Sequence, residues 1–179
     1  MIKMGLQSTA DGQRFQIHSD EMLVFASDRA LAILAAAEHW FADGTFSIAP
    51  PGCMQLYTIQ ALIGESTAVP CVFALLKDKS ASSYAALLAC ISDASPRDFT
   101  PQSIMVDFET AAISTFRQRF PRATLTGCFY HLARAVGVEY KKPDCRPATV
   151  ATWSLPYGVD ACLHRRLFLK MMLFRRSRP

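Results

Sequence analysis

Trp40-Phe41-Ala42-Asp43-Gly44-Thr45-Phe46-Ser47-Ile48 is the stretch that decides the fold. It is aromatic and apolar, it ends at Pro50-Pro51, and it carries an acid in its middle. Such a run reads as a strand. Two further extended segments follow. Met54 to Ile63 partly alternates and stops at Gly64, and Val69 to Leu76 is more continuous and stops at Lys77-Asp78-Lys79. Short connections between the three predict an antiparallel meander. Pro70 then belongs at the start of its strand or beside a bulge, because it has no N–H for the ladder.

Beyond the meander the period changes. Ser80 to Ser83 leads into Tyr84, Leu87, Leu88 and Ile91, an amphipathic helix behind a serine start signal. Pro96 and Pro101 mark a loop. Ile104-Met105-Val106-Asp107-Phe108 is a short apolar strand that closes on an acid. Thr110 to Phe120 reads as a helix with Ala112, Ile113 and Phe116 on one side, and Pro121 stops it. Thr124 to Phe129 reads as another strand, and His131 to Val138 as the start of another helix. Ahead of the meander, Ser27 caps a helix through Ala37, Asp28 complements its dipole, and Leu31 and Leu34 share a face. The expected class is α/β: a mixed sheet in the order β-β-β-α-β-α-β-α, preceded by one helix, with helices on its faces.

Composition narrows the function classes. Of 179 residues, 51% are hydrophobic and 19% charged, which excludes a disordered chain. The longest aliphatic run, Ala30 to Ala37, falls far short of the roughly 20 residues that cross a bilayer. Neither a membrane partner nor a secretory leader is expected. Six cysteines without pairing rhythm read as buried thiols in a reducing compartment. Residues 1–140 hold 10 Lys+Arg against 13 Asp+Glu, whereas residues 141–179 hold 9 against 2. A mildly acidic body therefore precedes a basic end, and a body of that sign needs cations or basic partners to handle a polyanion. The chain divides into a polar lead (1–24), a body (25–140) and a basic, proline-interrupted, irregular tail (141–179).

Two acids stand out. Asp43 lies inside an apolar strand and Asp107 closes another. One such acid is ordinarily a helix cap, a solvated strand end or a hydrogen-bonded core carboxylate. Two of them, on strands that this topology can lay side by side, can converge on one divalent cation. Oxygen ligands with retained waters suit Mg²⁺ or Mn²⁺, and a metal pair can cleave phosphodiesters. Gly44 would leave room beside Asp43 for a substrate backbone. Cys128-Phe129-Tyr130-His131 is a Cys-x-x-His unit. Zinc needs about four ligands, and the nearest further candidates, Cys145, Cys162 and His164, lie in the tail, so zinc is not the expected metal. A buried cysteine with a histidine packed near the sheet is the plainer reading.

Taken together, these motifs resemble the Mutator-like element (MULE) transposase domain. The resemblance runs through Phe25-Ala26-Ser27-Asp28, Trp40 to Phe46, Gln55 to Ile59, Met105 to Glu109 with Ala111-Ala112, and Gly127 to Leu132. It implies a ribonuclease-H-like fold and a DDE-type acidic triad that cuts and joins DNA at transposon ends with a divalent metal. Asp43 would be the first acid and Asp107 the second, both ligating metal. Glu109, Cys128 and His131 would support the site. The third acid, a Glu well downstream, has no counterpart in setting among Glu139, Asp144 and Asp160, so the chain reads as a fragment lacking it. The implied partner is DNA, with a second copy of the chain as a further candidate, and the implied location is nuclear or nucleo-cytoplasmic. A catalytically inactive or co-opted DNA- or protein-binding remnant is the alternative.

Overall fold

Alternation along the meander builds the sheet. The computed structural model describes residues 7–18, 22–64, 66–128 and 131, with two further short strands at 153–154 and 160–161. The elements are β1 (Gln16–His18), β2 (Leu23–Phe25), α1 (Asp28–Ala36), β3 (His39–Thr45), β4 (Gln55–Ile63), β5 (Thr67–Leu76), α2 (Ala81–Ala94), β6 (Ser103–Val106), α3 (Thr110–Arg119), β7 (Thr124–Gly127), β8 (Trp153–Ser154) and β9 (Asp160–Ala161). The sheet order is β1-β2-β5-β4-β3-β6-β7-β9-β8. β3, β4 and β5 form the antiparallel meander, and β6 lies parallel to β3 with β7 parallel to β6.

Two strands ahead of α1 were not legible in the sequence. β1 and β2 pair antiparallel, and β2 joins the edge of the meander by pairing with β5. Each is three residues long, too short to show a period. Pro70 pairs with Gln60 where the β4–β5 register shifts, so its missing N–H falls at an irregularity as expected. The expected helix from His131 to Val138 is described only at His131, which is helical.

One face of the sheet carries the core. Trp40 and Ala42 on β3, Tyr57, Ile59 and Ala61 on β4, and Ile104 and Val106 on β6 form one buried cluster with Leu31, Leu34, Tyr84, Leu87, Leu88, Ile91 and Phe116 of the helices. Helices α1, α2 and α3 all contribute to that one cluster, so the described helices cover a single face rather than both. Each large apolar side chain buried there stabilises by about 1.5–3 kcal/mol. Phe25, Phe41, Leu62 and Leu75, at the other alternation positions, are buried outside that cluster. Asp43 shares their side of β3, since successive side chains point to opposite faces.

The helix starts follow their sequence signals at two of three sites. The Ala30 N–H donates to the Ser27 hydroxyl at 3.2 Å, and the Ser83 N–H to the Ser80 hydroxyl at 3.2 Å. The third, α3, has Glu109 in the capping position with no side-chain capping bond.

Candidate catalytic site at the carboxyl ends of β3 and β6

Parallel pairing of β3 with β6 sets Ala42 level with Val106. Asp43 and Asp107 are each the next residue, so both acids lie at the same level of neighbouring strands. Crevices outside the carboxyl ends of parallel strands are where ligands bind in open α/β sheets. Asp43 sits in β3 opposite Thr58 of β4, and its side chain is 36% exposed. Asp107 follows the last residue of β6. The Glu109 N–H donates to Asp107 Oδ1 at 3.3 Å, a local turn contact that orients the carboxylate.

The site is rich in negative charge. Burial is the largest cause pushing the Asp107 carboxyl up to about 6, and the neighbouring charges of Glu109 and Asp43 push the same way. The Glu109 N–H and His131 act in the opposite direction. Mutual repulsion of this kind means that the two acids sense one another across the strand boundary. The imidazole of His131 stands 3.7 Å from Asp43, Nε2 to Oδ1. Cys128 is buried, and its N–H donates to the Val106 carbonyl at 2.8 Å, which fixes it beside the second-acid strand. Asp43, Asp107, Glu109 and His131 are therefore brought to one neighbourhood, with Cys128 at its border. Cys145, Cys162 and His164 lie outside the described residues.

Gly44 does something other than expected. A Cβ there would meet Gln55 Oε1 at 2.2 Å and Tyr57 Cδ2 at 3.5 Å. The space that a side chain at position 44 would take is thus filled, on the core face, by the fully buried Gln55 side chain, so the glycine makes room for Gln55.

Beneath the acids runs a polar chain that sequence reasoning missed. Gln55 Nε2 donates to the Tyr84 hydroxyl at 2.8 Å, and that hydroxyl donates to Glu109 Oε2. Lys79 Nζ pairs with Glu109 Oε1 at 2.6 Å. Tyr57 lies at 5.0 Å from the Tyr84 ring, and burial, followed by the charge of Asp107, holds its hydroxyl well above the ordinary tyrosine range. The missed signals were present. Gln55 occupies a core-facing alternation position that should be apolar, and a buried Tyr84 needs a partner for its O–H.

A family profile described as the MULE transposase domain matches residues 39–135, more than half of the chain. The chain belongs to the MULE transposase domain family. No curated relative matches it. The matched segment of this MULE domain runs from the first residue of β3 past His131, and so contains every residue of the site. Membership carries a transposase-related role, which in general entails DNA binding and dependence on a divalent metal. No described helix of the MULE domain is long and apolar enough to cross a membrane.

The donor set can be weighed against such an ion. Among the described residues no three His, Cys, Asp or Glu side chains group to hold one. Two do suffice for Mg²⁺, which keeps several waters and is bound through one or two carboxylates. Asp43 and Asp107 supply hard oxygens at one level of adjoining strands.

Proposed function

We propose that this MULE domain supplies the first two acids, without the third, of the catalytic core of a DDE-type transposase, which cuts and joins DNA at transposon ends with Mg²⁺ or Mn²⁺ held by Asp43 and Asp107. The single observation that carries the reading is the parallel β3–β6 register, which sets the two acids level on adjoining strands. The strand order β5-β4-β3-β6-β7, three antiparallel and then two parallel, supports a ribonuclease-H-like arrangement.

When bound, the ion supplies Lewis-acid activation of the attacking oxygen and stabilises the leaving oxygen of the phosphodiester. The chain's own residues hold the charges in place. Asp43 is fixed by its place within β3, and Asp107 by the Glu109 N–H. His131 stands beside Asp43 and, when protonated, offsets its charge. Glu109 and Cys128 support the loop and strand end that carry the second acid. In this reading the basic residues of 141–179 contact DNA phosphates, a second copy of the chain engages the second transposon end, and the protein works in the nucleus, where its DNA lies.

A strand-nicking assay with Mg²⁺ or Mn²⁺ tests the reading. Asp43→Asn and Asp107→Asn should each abolish metal-dependent cleavage, and cleavage that survives either substitution overturns it. The second reading is a non-catalytic DNA- or protein-binding role, favoured because among the described residues no three His, Cys, Asp or Glu side chains group to hold a metal ion. It predicts salt-sensitive DNA binding, without cleavage, that weakens when 141–179 is deleted.

A further inference from the structure

We infer that Tyr84 is a positioning residue for the second acid: it clamps Glu109 together with Lys79 and Gln55, and Glu109 in turn fixes the loop that carries Asp107. The effect on metal binding rests on the function proposed above, whereas the effect on the Asp107 loop does not.

Glu109 Oε2 accepts from the Tyr84 hydroxyl, and Oε1 is ion-paired with the Lys79 ammonium at 2.6 Å without an aligned hydrogen bond. A carboxylate so occupied acts as an anchor and not as a third metal ligand. Its backbone N–H donates to Asp107 Oδ1 at 3.3 Å, so holding Glu109 still also holds the second acid's rotamer. The hydroxyl of Tyr84 accepts from Gln55 Nε2 at 2.8 Å, and Gln55 fits because position 44 is glycine. The chain of contacts therefore starts beside Asp43, at Gly44, and ends on Asp107. It joins β3, β4, α2 and the β6–α3 loop under the two acids.

Stability alone does not account for this arrangement. Glu109 stands in the capping position of α3 and makes no side-chain capping bond. Ser, Thr, Asp or Asn in that place would stabilise the helix relative to alanine, and Glu109 forgoes that bond. Buried polar chains also stabilise poorly against well-packed apolar side chains unless every group is satisfied. A sequence that forgoes the cap and buries Gln55 and Tyr84 against a carboxylate has placed that carboxylate for a purpose. Lys79 also offsets the charge of Glu109, so that the added acid does not repel the cation-binding pair with its full charge.

The test uses the full chain with Tyr84→Phe, which keeps the ring, and Lys79→Met, at a side chain 40% exposed that leaves the core intact. Carboxyl-carbon and amide NMR are recorded without metal, and Mn²⁺ affinity is then measured by the electron-paramagnetic signal of the free ion. In both variants the Glu109 Cδ, the Glu109 amide and the Asp107 Cγ resonances should shift, while those of Leu31 and Leu34 stay in place. Mn²⁺ affinity should fall about tenfold, as for loss of a residue that orients a metal ligand. Unmoved Asp107 and Glu109 resonances, or wild-type Mn²⁺ affinity in both variants, would overturn the inference. Shifted resonances in a chain whose wild type binds no Mn²⁺ would uphold the positioning role and refute the proposed metal site instead.

Discussion

The side-chain amide of Gln55 occupies the space that a Cβ on Gly44 would need, with Oε1 only 2.2 Å from that position. Gly44→Ala must therefore push a fully buried amide aside. The amide is anchored to the Tyr84 hydroxyl at 2.8 Å, so relief comes at the expense of that bond. Overpacking and the lost hydrogen bond together should destabilise the domain by about 1–3 kcal/mol. Urea denaturation followed by circular dichroism measures this, and an unchanged midpoint would contradict the packing at Gly44.

Asp107→Asn should stabilise the protein at neutral pH and above in the absence of metal. The carboxyl has a folded-state value of about 6 against an ordinary 3.8. The folded chain thus binds the proton more tightly than the unfolded chain between those values. Stability falls as pH rises from about 4 to about 6, and the penalty is complete above that window. Some solvent screening at this half-buried site trims the cost to roughly 2 kcal/mol. The variant should gain about that much over wild type at pH 7.5, and the gap should close below pH 4. Denaturation at the two pH values checks the sign, and a variant less stable than wild type at the higher pH would contradict it.

Most of the framework was legible because it rests on periodicity. The Tyr84–Ile91 spacing gives α2, Pro121 stops α3, Pro50-Pro51 separate β3 from β4, and the apolar runs around Asp43 and Asp107 give β3 and β6. The side-by-side placement of those strands followed from topology. β1 and β2 were not legible, because three residues are too few for an alternation to register. The Gln55–Tyr84–Glu109–Lys79 chain was hidden for a different reason. Each member looked ordinary within its own segment: a strand residue, a helix-face aromatic, an acid after a strand, a terminating lysine. Only the crossing of β4, α2 and the β6–α3 loop makes them partners. Gly44 was misread for the same cause, since its close neighbour Gln55 lies on the next strand and not in its own segment.

Trp40 ties β3 to the helices. It is 1% exposed, its indole N–H donates to the Leu34 carbonyl at 3.1 Å, and Phe99 and Phe120 meet it edge-on at 5.2 and 5.3 Å. Trp40→Phe keeps an aromatic ring but leaves the Leu34 carbonyl with only the Ala37 N–H, at 3.3 Å, and leaves unfilled volume. A loss of about 1–3 kcal/mol is expected, and Trp40→Ala should cost about 3–5 kcal/mol. Thermal melts rank the two, and Trp40→Phe melting with the wild type would rule out the bond to Leu34.

Gly127 controls the second-acid loop from the neighbouring strand. A Cβ there would lie 2.5 Å from Cε1 and Cζ of the Phe108 ring. Phe108 stands between Asp107 and Glu109, so a ring forced from its seat drags both acids with it. Gly127→Ala should cost about 1–3 kcal/mol through overpacking. If Asp43 and Asp107 hold the proposed ion, the substitution should also weaken Mn²⁺ binding beyond what the loss of stability explains. Gly52→Ala is the matched control. Gly52 has φ +89°, and a Cβ added there would have nothing within 4 Å, so alanine strains only its own turn. Both variants should lose stability, but only Gly127→Ala should lose Mn²⁺ affinity. Equal Mn²⁺ affinity in the two would separate Phe108 from the placement of the acids.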